Sequence, residues 1–461
     1  MRNISAAFLG AAAIAAASSR TPSPAPTRPF DIVSSVEISA DEPLARHIES
    51  VLAINPRDPN NLVAASIDFG EDGGVVAYAS RDGGRSWSRA VDSAGRKARF
   101  DGLDPAVAFA ADGAAYLLSD GDSLMAFRST DGGFTWSAGA LVPGRAWDRP
   151  WIAGGLGGGA SDRRLYVAGK MPVTVFGHAA QDIIGVSIST NRGASFPSPE
   201  LFLPAPEREL VNVVNDLVVL PDGRVLLTLQ TFPPAALTET PLHGYYATLV
   251  SLDLGKSFAP PRRGPSFRTF GHAREGKSLF GLAGARAAAD ASGGPRAGRF
   301  YLTWVDAIDG FYRVMAASSS DAGMTWSPAV RLDADAGATD ASVPTVAVDG
   351  RGTVGVAWYD RRADPSDGCY RLFFASSSDG GATFSPEAPV DDTETCPLLG
   401  SKDAADPVSS QYRFKNGGDT MGLVGLPGGG FQVAWIRQGK SEMQLWSTRL
   451  SAGGGPRSNS R

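Results

Sequence analysis

Short apolar runs recur along the whole chain, each closed off by Gly, Pro, Asp or Asn. Runs of that length between turn residues read as β-strands, because a helix needs a longer stretch of sustained 3.6-residue period. The runs come in sets. Residues 61–66 (NLVAAS) and 75–78 (VVAY) form the first, and 106–109 with 115–118 the second. Then come 151–152 with 165–167, 217–220 with 225–228, 300–304 with a less distinct partner near 285–290, and 345–348 with 354–358. A seventh set, 421–424, 431–435 and 443–446, lacks a fourth strand. The N-terminal run 32–38 (IVSSVEI) has no other home and can supply it.

After each of the first six sets stands the same octapeptide: Ser, any residue, Asp or Asn, any, Gly, any, Ser or Thr, then Trp or Phe. The copies begin at Ser80, Ser129, Ser189, Ser251, Ser319 and Ser377, and their acidic or amide positions are Asp82, Asp131, Asn191, Asp253, Asp321 and Asp379. Such a match arises by chance in roughly a few chains per thousand, so six in order make a repeat. The pattern is that of a hairpin turn. Asp or Asn accepts backbone N–H bonds two or more residues on, Gly takes a positive φ, and the aromatic opens the return strand. Asn191 can make the same turn as Asp. The role is structural in all six.

The octapeptides resemble the Asp-box (BNR) repeats of sialidase-like β-propellers. That resemblance covers most of the chain, from about residue 51 to 389, and implies an all-β propeller. The strand sets predict seven four-stranded blades, where sialidases usually have six, with the ring closed by the N-terminal strand as the outer strand of the last blade. Six blades with a C-terminal appendage is the alternative. Closure removes the exposed sheet edges that invite aggregation. The motif is specific for the fold and unspecific for activity, since related propellers include sialidases, other glycoside hydrolases and non-enzymatic binding proteins.

In an up-and-down blade the boxes occupy the turns between third and fourth strands. Chemistry is therefore expected at the other rim, where loops between blades meet loops between second and third strands. That rim is dense in Arg and carboxylates. Sialidases hold a substrate carboxylate with three Arg, use an Asp as acid/base, and use a Tyr activated by Glu as nucleophile, an exception to the two-carboxylate scheme. By this resemblance Arg46, Arg149, Arg361 and Arg413 are the candidate substrate-binding residues, with Asp104, Asp148 and Asp360 as candidate acids, Tyr359, Tyr370 or Tyr412 as candidate nucleophile, and Glu49, Glu209 or Glu275 as its partner. The Arg-Ile-Pro-type motif that opens the first sialidase blade is absent, since the region reads Ala45-Arg46-His47-Ile48-Glu49. Spacing alone specifies none of these roles, and each Arg–Asp pair also reads as an ion pair between blades. Three functions remain open. The chain is an exo-acting hydrolase of acidic, sialic-acid-type glycans, a non-catalytic propeller binding glycans or proteins at the cell surface, or a two-carboxylate hydrolase of neutral polysaccharides.

Composition narrows the setting. Gly (55) and Pro (32) make up about 19% of the 461 residues, so turns are many and long helices few. The 43 basic against 48 acidic residues give a net charge of −5, which argues against a nucleic-acid partner. Residues 1–17, with Arg2 ahead of a short apolar run ending in Ala-Ala-Ala, read as a signal peptide too short to span a bilayer. Residues 18–30 follow as a Pro-rich linker, 31–450 as one propeller domain and 451–461 as a disordered tail. No transmembrane segment follows, and a secreted or periplasmic monomer is expected. The two cysteines, Cys369 and Cys396, read as a disulfide in an exported chain or as two buried thiols. No metal or cofactor is expected. The Asp-rich loops leave room for a calcium ion, but no EF-hand loop is present and solvated acidic loops are the ordinary reading.

Overall fold

The computed structural model describes residues 28–452 apart from 71–72, 145–146, 156–162, 176–177, 203–210, 233–241, 270–283, 335–336, 338, 366–367, 398–416 and 441. The signal peptide, most of the linker, the tail beyond Ala452, and the candidates Glu209, Glu275, Tyr412 and Arg413 lie outside the described residues. Among these residues there are thirty strands and no helix. No helix is long and apolar enough to cross a membrane.

Twenty-eight of the strands build seven four-stranded antiparallel sheets, the blades of a propeller. Blade 1 runs outward through His47–Asn55, Asp58–Asp68, Val75–Ser80 and Ser88–Arg89. The inner strands of the next five blades are Leu103–Phe109, Asp148–Gly154, Val211–Val219, Arg286–Ala289 and Ala341–Val348. Blade 7 runs Gly422–Gly425, Phe431–Gln438, Met443–Ala452, and its outer strand is Phe30–Glu37, paired with Val36 opposite Ser447. Each inner strand packs against the next, and that of blade 7 packs against that of blade 1, so the contacts run round a ring.

Each blade is covered by neighbours on both faces. Its second strand can therefore bury successive residues instead of alternating, as in Val225–Phe232 and Val354–Asp360, which are buried throughout. Trp304, Trp358 and Trp435 occupy the same place in the second strands of blades 5, 6 and 7 and are fully buried.

The six octapeptides form one turn. The leading Ser accepts the N–H of the Gly four residues on at 2.8–2.9 Å and donates its own proton to the Asp or Asn Oδ1 at 2.7–2.8 Å. The Gly in question has φ between 74° and 96° in all six. At Gly133 a Cβ would also sit 2.2 Å from Val63 Cγ2, so this Gly lets blade 2 close on blade 1. Cys369 and Cys396 are bonded, S–S 2.09 Å, linking a blade 6 loop to the segment leaving that blade.

Candidate functional site

In each blade the third strand runs parallel to the first, and in blades 1 to 6 the octapeptide follows its end. The starts of the inner strands therefore lie at the opposite rim, and there they ring a pocket on the propeller axis. All seven blades line it, through Glu49, Asp104, Arg149, Asn215, Arg286, Val343 and Asp419 among others.

A repeated local distortion aims these side chains. The pairing of inner and second strands slips between Ile48 and Val51, Leu103 and Ala106, Asp148 and Trp151, Val214 and Asp216, and Ser342 and Thr345. An extra residue in a strand bends it and turns a side chain out of register. In four blades that residue has a left-handed backbone, Glu49 at φ 56°, Asp104 at 49°, Arg149 at 51° and Val343 at 50°. Non-glycine residues hold such angles at a cost of about 1 kcal/mol or more, and such strain gathers at functional sites.

The pocket is polarised. Blades 1, 2 and 7 contribute carboxylates, Glu49, Asp104 and Asp419, while blades 3 and 5 contribute guanidinium groups, Arg149 and Arg286. Arg149 is ion-paired with Asp419 through Nη2, and its backbone N–H donates to Asp104 Oδ2 at 3.2 Å. Burial works against its charge, but Asp419, Asp104, Glu49 and Asp148 outweigh burial and raise its pKa. Arg286 donates from Nε to Asp216 Oδ2 at 3.0 Å and lies over the Trp151 ring at 4.2 Å. Trp151 is itself fixed by its indole N–H on the Val214 carbonyl at 3.1 Å. The Nη1 of Arg286 is buried and has no hydrogen-bond partner among the described residues. Such an orphaned donor is costly unless something arrives to accept from it.

Asp120, beside the pocket but not in its lining, is a titratable group. It ends the second strand of blade 2, Ala115–Asp120, at the same rim. A Cβ on Gly102 would lie 2.3 Å from the Asp120 carbonyl carbon, so only Gly lets the loop entering blade 2 close on that strand end. Burial first, then the charges of Asp104 and Asp148, push the Asp120 carboxyl up to about 7. Asp148 is held by Lys170 Nζ at 3.0 Å.

The remaining predicted residues are placed elsewhere in the blades. Arg46 leads into the inner strand of blade 1 with its N–H on Asp68 Oδ1 at 2.9 Å. Tyr359 is fully buried, stacked on Tyr370 at 4.3 Å, and its oxygen accepts the Ile436 N–H at 2.9 Å. Burial pushes its phenol far up. Asp360 is buried and takes both arms of Arg362, at 2.8 and 2.7 Å, together with the Trp358 indole N–H at 3.0 Å. Arg361 is buried beside them, its N–H on the Asp340 carbonyl at 3.2 Å. Of the predicted set, Asp104, Asp148 and Arg149 come together. Glu49, a candidate partner of the nucleophilic Tyr, joins them, and so do Asp120, Arg286 and Asp419, which were not candidates. Glu49, Asp120 and Asp419 are visible as acidic residues in rim loops, whereas Arg286 falls in the least distinct strand and carried no signal. Among the described residues, Cys369, Glu394 and Cys396 cluster at metal-ligand distances, but the two sulfurs are spent on the disulfide.

No protein-family model matches the chain, and no curated protein matches it in sequence. Solved structures do. A protein of unknown function from Dyadobacter fermentans aligns at 12% identity and TM-score 0.49, over 92% of this chain and 99% of its own. The intramolecular trans-sialidase of Ruminococcus gnavus aligns at 13% identity and TM-score 0.45, over 91% and 98%. The α-L-arabinanase of Penicillium chrysogenum aligns at 13% and 0.45, over 71% and 94%. At such identities and TM-scores these likenesses carry no chemistry across, and the propeller stands on its own sheet order.

Proposed function

We propose that the chain is an exported hydrolase of glycans that works at the axial pocket, cutting terminal acidic sugars of the sialic-acid type. The observation that carries this reading is the split polarity of the pocket. A sugar carboxylate seated on Arg286 and Arg149 gives the orphaned Nη1 its acceptor and finds planar donors suited to bidentate pairing. The glycosidic oxygen then faces the acidic side. Asp120, still protonated near neutrality, donates its proton to that oxygen as the bond breaks. A water attacks the anomeric carbon and gives its proton to Asp104 or Glu49. Burial, and then the charges of Asp104 and Asp148, keep Asp120 protonated. In this reading Tyr359 and Asp360 pin blade 6 and take no part in the reaction.

The pairing of Arg149 with Asp419 inside the pocket supports a second reading, a non-catalytic propeller that binds glycans. A fluorogenic sialoside and a panel of neutral aryl glycosides separate the two. The hydrolase reading expects turnover of the sialoside, kcat lowered about 100-fold or more in Asp120→Asn, and a raised KM with little change in kcat in Arg286→Gln. Because the acid form of Asp120 does the work, kcat/KM should fall as pH rises through about 7. Absence of turnover on every substrate, with retained glycan binding, leaves the binding reading.

A further inference from the structure

A second recess opens between blades 4 and 5, away from the axis. It consists of two adjoining chambers of about 390 and 490 Å³ that share Arg263, Ser266 and Asp306. Both volumes fall in the range of ligand pockets. One wall is the outer strand of blade 4, Arg262–Thr269, and the other is the second strand of blade 5, Phe300–Ile308, with the octapeptide turn that follows the third strand.

That turn departs from its own repeat. In blades 1 and 2 the closing aromatic is folded back, and Trp87 and Trp136 donate their indole N–H to Gly84 and Gly133 within the turn at 3.2 and 2.9 Å. Trp326 does not, and its indole nitrogen has no partner among the described residues. The ring instead lies against blade 4, where a Cβ on Gly264 would meet its nitrogen at 2.9 Å, and it lines the recess beside Met324, which is 58% exposed. The repeat can satisfy this indole internally, so holding the ring against Phe300 at 5.6 Å in the recess wall gives up a hydrogen bond for an apolar surface.

Facing the platform is a cation without a counter-ion. The guanidinium of Arg263 has no hydrogen-bond or ion-pair partner among the described residues and lies over the Tyr245 ring at 4.4 Å. Beside it Asp306 accepts the Arg268 backbone N–H at 2.7 Å and stands 3.8 Å from the Arg268 guanidinium. A ring platform, a planar cation, a carboxylate acceptor and the exposed Ser266 hydroxyl together match a sugar that carries an acid group. A peptide adding itself as a further strand is a poor occupant, since the blade 4 edge carries Pro265 and a row of Arg.

We propose that this recess is a saccharide-binding site separate from the axial pocket, and that it takes an acidic oligosaccharide. One unit lays its ring face on Trp326 and Met324 and its acid group on Arg263, and the next occupies the adjoining chamber. The site does not depend on the axial reading. Intrinsic tryptophan fluorescence of the full chain, titrated with a uronic-acid trisaccharide, a sulfated disaccharide, a neutral trisaccharide and an oligo-glutamate peptide, tests it. The expected result is saturable quenching by an acidic saccharide and not by the neutral one, with the carboxylated and sulfated probes reporting which acid group is preferred. Arg263→Ala should weaken binding about tenfold, the loss of one charge-assisted contact. Trp326→Phe should remove the signal, and Asp120→Asn should leave both affinity and signal unchanged. Equal binding by the neutral probe, unchanged affinity in Arg263→Ala, no saturable binding by either acidic saccharide, or binding of the peptide alone would overturn the proposal.

Discussion

Asp131 and Asn191 hold equivalent places in successive turns and differ in the direction of one hydrogen bond. Asp131 accepts the Thr135 hydroxyl at 2.7 Å, whereas Asn191 donates its amide to the Ser195 hydroxyl at 2.8 Å. A hydroxyl serves either way, so the turn survives the exchange. Asp131→Ala, by contrast, leaves the N–H groups of Phe134 and Thr135 without their acceptor. It should cost about 1–2 kcal/mol in urea unfolding, and Asp131→Asn clearly less. Turnover per folded molecule should be unchanged in both, because the turn lies at the far end of the blade. His47 carries a different signature. Its ring is fully buried, with Nδ1 on Ser66 Oγ at 2.9 Å and Nε2 unpartnered. Burial holds its pKa down to about 4, against the pull of Asp68 and Glu42 and with the help of Arg89 and Arg99. The unfolded chain therefore protonates this ring first, from its ordinary value of 6.5. Stability present above pH 6.5 is lost as pH falls toward 4, by on the order of 2–3 kcal/mol. Comparing urea midpoints at pH 7 and pH 4.5 should show a smaller drop in His47→Gln than in the parent.

At the level of elements, the outer strand Phe30–Glu37 bears most on integrity. It pairs along its length with Met443–Ala452, and Phe30 packs edge-on against Phe374 of blade 6 at 5.2 Å. A chain beginning at Ser39 would bare the edge of blade 7 and leave that blade with three strands. It should associate through that edge and elute in size-exclusion chromatography as larger species, while a chain beginning at Arg28 remains dispersed. The inner strands show the complementary economy. In blades 1, 2, 3 and 6 the inner strand slips register near the axial rim, and the left-handed residues there, Glu49, Asp104, Arg149 and Val343, line the pocket.

For the whole molecule, the ring turns a repeated sequence into an unequal pocket. Seven similar inner strands present Glu49, Asp104, Arg149, Asn215, Arg286, Val343 and Asp419 to one axis, and the charges fall into an acidic arc and a basic arc. No single blade contains this polarity. It arises because blades 1 and 7, which are distant in sequence, are neighbours in the ring.

Fold and site were legible to different degrees for the same reason. Strands and turns are local, so Gly at a positive φ, Asp or Asn accepting backbone N–H groups, and apolar runs between them can be read in order from the chain, and seven blades follow. Even the place of the N-terminal run could be inferred, because a ring leaves no edge open. The chemistry at the axis is not local. Asp120 becomes a group that titrates near neutrality because the fold buries it and then brings Asp104 and Asp148, from its own blade and the next, beside it. Asp360 loses its candidate look because Arg362 and Trp358 take up its oxygens. Sequence determined the scaffold through short-range conformational rules, while the tertiary structure decided which charges meet, which are neutralised and which remain to act, because Coulomb energy and desolvation depend on distances that sequence separation does not encode.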